Sequence, residues 1–368
     1  MLNAWIDDEL AALDADGLRR TLRMSDPALI NFASNDYLNL ARHPDVVAGA
    51  EAALRRYGAG AASSRLLSGH TPLHAELEAA LAALVGQEAA LVFPAGYMAN
   101  LGVITALVGP ADAVILDRLC HASLVDAARL SGARLFVYRH ADAADAERVL
   151  RRAASYRRRV FVTESLFSMD GDTPPLATLR DLARHYNAVS VVDEAHAIGV
   201  AGPGGKGLSE GWDVVMGTLS KALGAQGGFA AGSQRLMHYL VNKARPFMFT
   251  TGLSPACAGA ALAALGIVRR TPALAETVDR LGHALRTGAR QRGWRVIDGE
   301  RQIVPLWVGE ANTALRLSDR LRAGGFYAPA IRPPAVHAHE CRLRLSVTAG
   351  HRPEDIQRLL DALGDSHE

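Results

Sequence analysis

The middle of the chain alternates short apolar runs with segments of helical periodicity, and this alternation restricts the fold more than any other feature. The apolar runs are rich in β-branched residues and predict strands at 89–93, 113–116, 134–138, 160–163, 189–192 and 214–216. Continuous apolar strands that alternate with helices are typical of a parallel sheet covered on both faces. We therefore predict an α/β fold with a mainly parallel central sheet.

The flanking regions follow a different pattern, which predicts three parts. Residues 1–40 form an N-terminal segment, with a helix-like stretch at 4–22 and an extended piece at 28–32. Residues 41–255 form the large domain, which also contains a helix at 71–84. Residues 256–368 form a smaller α+β domain, whose predicted elements are a helical stretch at 255–292, strands at 303–308 and 341–347, and helices at 311–323 and 353–363.

Three polar side chains each come just past a predicted strand. They are Glu164, Asp193 and Lys221, and roughly thirty residues, about one βαβ unit, separate each from the next. The carboxyl ends of the strands line the ligand crevice of an open α/β sheet. The spacing therefore predicts that these residues share one binding site.

Composition excludes several classes of function. Lys+Arg 40 against Asp+Glu 38 gives a net charge of +2 over 368 residues, which offers no attraction for nucleic acid or an anionic membrane. Cys120, Cys257 and Cys341 are far apart, so we expect neither a disulfide framework nor a metal site. The N-terminus has no apolar run of signal-peptide length, and a cytoplasmic location fits best.

Lys221 lies in residues 217–224 (GTLSKALG), at the end of an apolar strand. A single lysine in a loop is ordinarily a solvated surface charge. The small and hydroxylated neighbours of Lys221 suit a different role, in which its amine forms a Schiff base with an aldehyde. Such a role needs an accessible amine whose pKa is lowered. Thr218 and Ser220 would then donate hydrogen bonds to a phosphate.

Asp193 begins the string DEAH at 193–196. It could cap the following helix, or it could pair with the pyridine nitrogen of pyridoxal phosphate (PLP) and keep that nitrogen protonated. ATP-driven helicases also contain DEAH, but they need a G-x-x-x-x-G-K-[ST] loop, which this chain lacks. A dinucleotide-binding oxidoreductase is disfavoured because no G-x-G-x-x-G follows the first strand.

Two histidines and a turn that contains glycine are further candidate site residues. Gly96 and Tyr97 lie at a strand-to-helix turn where backbone amides can approach a phosphate. His121 is either a core or cap histidine or a ring that stacks on the cofactor. His196 either lies in the core or bonds the cofactor's phenolic oxygen.

The ordered motifs resemble the α-oxoamine synthases, which are fold-type-I PLP enzymes. The matching strings are NFASNDYL at 31–38, TESLFSMDGD at 163–172, DEAH at 193–196 and GTLSK at 217–221. The resemblance runs from about residue 30 to 365 and implies a PLP-binding domain of the aminotransferase type.

The resemblance also implies roles for individual residues. Those that would act at the cofactor are Lys221 as its covalent partner, Asp193 at the ring nitrogen, His121 on the ring face, His196 and Ser168 near the phenolic oxygen, Gly96, Tyr97, Thr218 and Ser220 at the phosphate, and Thr250 or Thr251 from a partner subunit. Those that would act on substrate are Arg344 at the amino-acid carboxylate, Asn35 near the substrate, Glu164 near the reacting carbonyl and Arg19 at a distal carboxylate.

Residues 331–334 (IRPP) and 342–345 (RLRL) most resemble the family members that join L-alanine to a pimeloyl thioester, of CoA or a carrier protein, in biotin biosynthesis. The alternatives are another α-oxoamine synthase, such as a glycine C-acyltransferase, or a non-catalytic partner subunit. Such subunits lack the lysine, and Lys221 is present. The family resemblance also implies a homodimer. The segment 335–340 departs from the family pattern and bears on acyl selection.

Overall fold

A computed structural model of the chain describes residues 2–22 and 24–366. These residues form two compact units. The smaller unit contains the chain up to Ser34, Met169–Gly171 and the chain from Asp279 onward, and the larger unit contains Asn35–Ser168 and Asp172–Val278.

The strands are short and mostly buried. In chain order they are β1 Ile30–Asn31, β2 Ala89–Phe93, β3 Ala113–Asp117, β4 Arg134–Tyr138, β5 Arg159–Glu164, β6 Val189–Asp193, β7 Val214–Thr218, β8 Gly228–Gly232, β9 Ile303–Gly309, β10 Phe326–Tyr327, β11 Ala330–Ile331 and β12 Cys341–Ser346.

Helices connect most of the strands. In chain order they are α1 Leu2–Ala15, α2 Pro44–Tyr57, α3 Pro72–Val85, α4 Gly96–Leu107, α5 Ala122–Leu130, α6 Ala143–Arg152, α7 Leu176–His185, α8 Gln234–Lys243, α9 Arg245–Met248, α10 Pro255–Arg270, α11 Ala273–Gln291, α12 Ala311–Ala323 and α13 Pro353–Leu363, with a 3₁₀ turn at Pro203–Gly205. None of those in the described part of the chain is long and apolar enough to cross a membrane.

The larger unit is built on a seven-stranded sheet in the order β2-β8-β7-β6-β5-β3-β4. Neighbours from β4 to β7 are parallel, and only β8 runs against the others. Side chains of β3, β6 and β7 are almost entirely buried, because helices cover the sheet on both faces. The predicted α/β fold with a mainly parallel sheet is confirmed.

The smaller unit contains two sheets. Strands β11, β12 and β9 form an antiparallel sheet, and β1 pairs in parallel with β10. Its apolar core gathers Phe32, the helices α11 to α13 and the inner faces of β9 and β12. The chain therefore contributes segments from both of its ends to this unit.

Several details differ from the predicted elements, and helix α2 and the two-residue strands β10 and β11 were not predicted. Strand β8 (GFAAG) was not predicted, because glycine and alanine carry a weak strand signal. The helical stretch predicted over 255–292 is broken into α10 and α11 at Thr271 and Pro272. The N-terminal helix ends at Ala15 and does not extend to residue 22.

Candidate active site

The carboxylates of Glu164 and Asp193 lie side by side, because β5 and β6 are parallel and in register where they end. Both residues are buried, with 2% and 7% of their surface exposed. Burial, and then the negative charge of Asp193, raise the pKa of Glu164 well above its ordinary value. This shift favours the uncharged form of the carboxyl group, which accepts a hydrogen bond from the backbone N–H of His121.

Asp193 is held by two donors. Its Oδ2 accepts a hydrogen bond from Asn100 Nδ2 at 2.8 Å, and its Oδ1 accepts one from the backbone N–H of Ala195 at 2.8 Å. Asn100 also donates to Ser123 Oγ at 2.8 Å, so its amide group is fixed in orientation. The sequence reasoning missed Asn100, although a single amide in the otherwise apolar helix α4 is a usable signal.

Lys221 lies in the turn that follows β7. Its Nζ is 2.9 Å from His196 Nε2. On the other side of the ring, His196 Nδ1 is 2.7 Å from the Tyr37 hydroxyl, which donates to Asn35 Oδ1 at 3.0 Å. A continuous chain of contacts therefore connects the predicted site residues Lys221, His196 and Asn35. Tyr37, which completes this chain, was not predicted from the sequence.

His121 begins helix α5 as its N-cap. Its Nδ1 accepts from the backbone N–H of Ser123 at 3.2 Å and lies 2.8 Å from Ser123 Oγ. Burial of the ring lowers the pKa of His121. The negative charge of Asp193 opposes this shift, whereas the positive charge of Lys221 adds to it. Its ring is thus tied to the same cluster as Lys221 and Asp193.

The N-terminus of α4 adjoins the turn that carries Lys221. The N-cap is Ala95, so no side chain caps the first amides of this helix. A Cβ on Gly96 would lie 3.4 Å from Thr218 Oγ1, and one on Gly228 would lie 2.4 Å from the backbone of Gly96. Glycine at position 228 allows the close approach to Gly96, and an uncapped helix N-terminus suits a phosphate.

The hydroxyls near this turn have partners within the protein. Thr218 Oγ1 and Ser220 Oγ donate to the carbonyl of Gly227 at 2.9 and 3.2 Å. The Tyr97 hydroxyl donates to Asp126 of α5. Bonding of these three side chains to a phosphate therefore stays a prediction.

The other predicted residues are divided between the two units. Ser168 is buried in the larger unit, Thr250 Oγ1 donates to the Pro246 carbonyl at 2.5 Å, and Thr251 pairs with Ser64. Arg344 and Arg19 belong to the smaller unit. Arg344 is buried and donates to Ser346 Oγ at 2.9 Å, while Arg19 forms an exposed ion pair with Asp14 at 2.5 Å.

The donor set fits PLP in three respects. An amine lies in the turn that follows one strand, a buried carboxylate ends the neighbouring strand, and an uncapped helix N-terminus adjoins the lysine turn. These groups suit an aldehyde, a protonated ring nitrogen and a phosphate, respectively.

The chain is similar in sequence to one protein family and to named enzymes within it. The sequence profile described as aminotransferase class I and II matches residues 27–363. The 8-amino-7-oxononanoate synthase of Methylobacterium sp. (strain 4-46) is 46% identical over 376 residues, which cover 99% of this chain and 97% of the relative. The 8-amino-7-oxononanoate synthase of Anaeromyxobacter dehalogenans (strain 2CP-1) is 45% identical over 376 residues, which cover 98% of this chain and 94% of the relative.

A solved structure supports the same fold. Serine palmitoyltransferase from S. paucimobilis, with a bound PLP-myriocin aldimine, superposes with a TM-score of 0.91 at 30% identity. The superposition covers 97% of this chain and 95% of that one.

Proposed function

The chain belongs to the class I and II aminotransferase family, among the relatives named 8-amino-7-oxononanoate synthase, and on that premise we propose that it makes 8-amino-7-oxononanoate. In the proposed reaction L-alanine condenses with pimeloyl-CoA, or with a pimeloyl carrier protein, and CO2 and the free thiol are released. The product would serve biotin biosynthesis. The family is one of PLP-dependent transferases, and a PLP-bound neighbour shares the fold.

One observation carries this proposal: the Asp193 carboxylate ends β6, and the Lys221 amine lies in the turn that follows the neighbouring strand β7 of the same sheet. When bound, PLP supplies an aldehyde that links to an amine and a protonated ring that delocalises the electron pair left at Cα. The chain's residues supply the proton transfers and the charges that this chemistry needs.

Lys221 has two tasks in the proposed reaction. Its amine holds the cofactor until alanine takes its place, and then Nζ removes the proton from the Cα of alanine. A lysine 2.9 Å from an imidazole has a nearby group that can exchange a proton with it.

Asp193 keeps the ring nitrogen protonated, which requires an ionised and fixed carboxylate. Asn100 and the backbone N–H of Ala195 donate to its two oxygens and so fix the orientation of the carboxylate. His121 would lie on the ring face, and His121 or Ser168 would stabilise charge when the thioester is attacked.

The substrate carboxylates need cations. We assign the amino-acid carboxylate to Arg344, which is buried, with Asn35 near the substrate and Glu164 near the reacting carbonyl. Arg19 is the proposed contact for the distal carboxylate of the pimeloyl chain, and it would have to exchange Asp14 for that anion.

The proposed assembly is a homodimer in which Thr250 or Thr251 of one subunit helps hold the phosphate in the other. A molar mass from light scattering tests this directly. A monomer that turns over at the full rate would contradict it.

A second candidate is another α-oxoamine synthase with a different donor or acyl group. The likeness to serine palmitoyltransferase, at a TM-score of 0.91, favours testing serine beside alanine and glycine. The decisive assay offers the three amino acids with pimeloyl-, acetyl- and palmitoyl-CoA and identifies the products by mass spectrometry. Alanine with pimeloyl-CoA should give the highest kcat/KM, and a higher value for another pair would overturn the substrate assignment.

Variants of lysine separate the mechanism from the substrate assignment. The chain has only three lysines, Lys206, Lys221 and Lys243. Lys221→Ala should abolish turnover with every substrate pair, whereas Lys243→Ala, at the end of α8, should leave it unchanged. Turnover that survives in Lys221→Ala would contradict the mechanism.

A further inference from the structure

Tyr37 lies behind His196, on the opposite side of the imidazole from Lys221. The chain of contacts runs from Lys221 Nζ to His196 Nε2 at 2.9 Å, from His196 Nδ1 to Tyr37 Oη at 2.7 Å, and from Tyr37 Oη to Asn35 Oδ1 at 3.0 Å. Tyr37 has no exposed surface and His196 has 5%, so bulk water does not supply their hydrogen bonds. The two rings are tilted, with centroids 6.1 Å apart, and they meet through their polar atoms.

We propose that Tyr37 is a positioning residue that keeps the proton of neutral His196 on Nδ1. His196 Nε2 then presents its lone pair to Lys221. The use made of Lys221 rests on the proposed function, whereas the position of the proton does not.

Both ends of the chain of contacts lead to the same proton arrangement. At one end, the ammonium form of Lys221 has three donors and no acceptor, so His196 Nε2 accepts when it faces that form. At the other end, the single hydroxyl hydrogen of Tyr37 goes to Asn35 Oδ1, so Tyr37 Oη must accept from Nδ1–H. A neutral imidazole carries one proton, and Nδ1 satisfies both requirements.

This arrangement gives Lys221 a proton acceptor. A proton can leave the Lys221 ammonium as its bond to Nζ breaks and a bond to His196 Nε2 forms. The products are a neutral amine, which is the nucleophilic form of lysine, and an imidazolium whose Nδ1–H still donates to Tyr37. With the proton on Nε2 instead, two donors would face each other and no transfer could occur.

The first test needs neither a variant nor activity. The cofactor-free wild-type protein, labelled with ¹⁵N-histidine, shows in long-range ¹H–¹⁵N NMR which ring nitrogen carries the proton. Loss of one set of signals in His196→Gln identifies His196 among the thirteen histidines. We expect Nδ1 to be protonated and Nε2 bare, and a proton on Nε2 would overturn the proposal.

The second test removes the hydroxyl and keeps the ring, with Tyr37→Phe. We expect the proton to shift toward Nε2 and the rate of covalent PLP attachment to the cofactor-free protein to fall about tenfold, the scale set by one buried hydrogen bond. Tyr186→Phe is the matched control, because Tyr186 donates to Glu147 at 3.0 Å on the sheet's covering helices. An unchanged tautomer together with an unchanged rate in Tyr37→Phe would overturn the proposal.

The outcomes also separate this inference from the proposed function. If PLP does not attach to the wild-type protein, the proposed function fails, while the NMR result still decides the position of the proton. If Tyr37→Phe does not fold, as judged by circular dichroism, the wild-type NMR spectrum decides the proposal alone.

Discussion

His140 is enclosed between two carboxylates, and its replacement by glutamine should destabilise the larger unit in a way that depends on pH. Its Nδ1 donates to Asp117 at 2.9 Å and its Nε2 donates to Asp172 at 2.7 Å. Asp117 is fully buried, and only 16% of the His140 side chain is exposed. Burial alone would lower the pKa of His140, but its bonds to Asp117 and Asp172 outweigh burial and raise it from 6.5 to about 10.

The size of the effect follows from linkage. A group whose pKa is raised on folding stabilises the protein fully below its unfolded pKa and loses that contribution as the pH rises through the folded pKa. A shift from 6.5 to about 10 corresponds to about 5 kcal/mol at low pH. About 3 kcal/mol of this should be lost between pH 6 and pH 9.

The assay compares the free energy of unfolding of wild type and His140→Gln in urea, followed by circular dichroism. The difference between the two proteins should be about 3 kcal/mol larger at pH 6 than at pH 9. His185→Gln is the control, since that histidine is exposed on α7. A difference that is the same at both pH values would refute the reasoning that His140 is charged in the folded protein.

Two other substitutions test the carboxylates at the strand ends. Asp193→Asn should lower kcat by several orders of magnitude, because the ring nitrogen loses its charged partner. The control, Asp181→Asn on the exposed face of α7, should leave kcat unchanged. A loss of only a few-fold in Asp193→Asn would contradict the role assigned to Asp193. Glu164→Gln should change the free energy of unfolding at pH 7 by less than about 1 kcal/mol, because burial favours the neutral form of this group and the amide still accepts from the backbone N–H of His121. Urea denaturation measures this change, and a loss of about 3 kcal/mol or more would show that the buried group is ionised.

The sheet was predictable where strands carry their own signal. Runs 89–93 and 134–138 coincide with β2 and β4, because β-branched, aromatic and other apolar residues mark strands locally. Strand β8 has no such mark. Its glycines are there because a neighbouring backbone approaches closely, and a Cβ on Gly228 would meet Gly96 at 2.4 Å. That requirement depends on a residue more than a hundred positions away.

The site residues, like the strands, include some that the local sequence predicts and some that it does not. Residues that end strands, such as Glu164 and Asp193, were predictable from the length of one βαβ unit. The contacts of Asn100 and Tyr37 were not predictable, because these residues reach Asp193 and His196 from 93 and 159 residues away in the chain. Contacts of that kind arise only when the folded sheet brings distant segments together.

Attachment of PLP to Lys221 is the central claim, and the small number of lysines makes it directly measurable. The purified protein is incubated with PLP, reduced with borohydride, digested and mapped by mass spectrometry. We expect the cofactor's mass on Lys221, and on neither Lys206 nor Lys243. A label on one of the other two lysines, or no label at all, would contradict it.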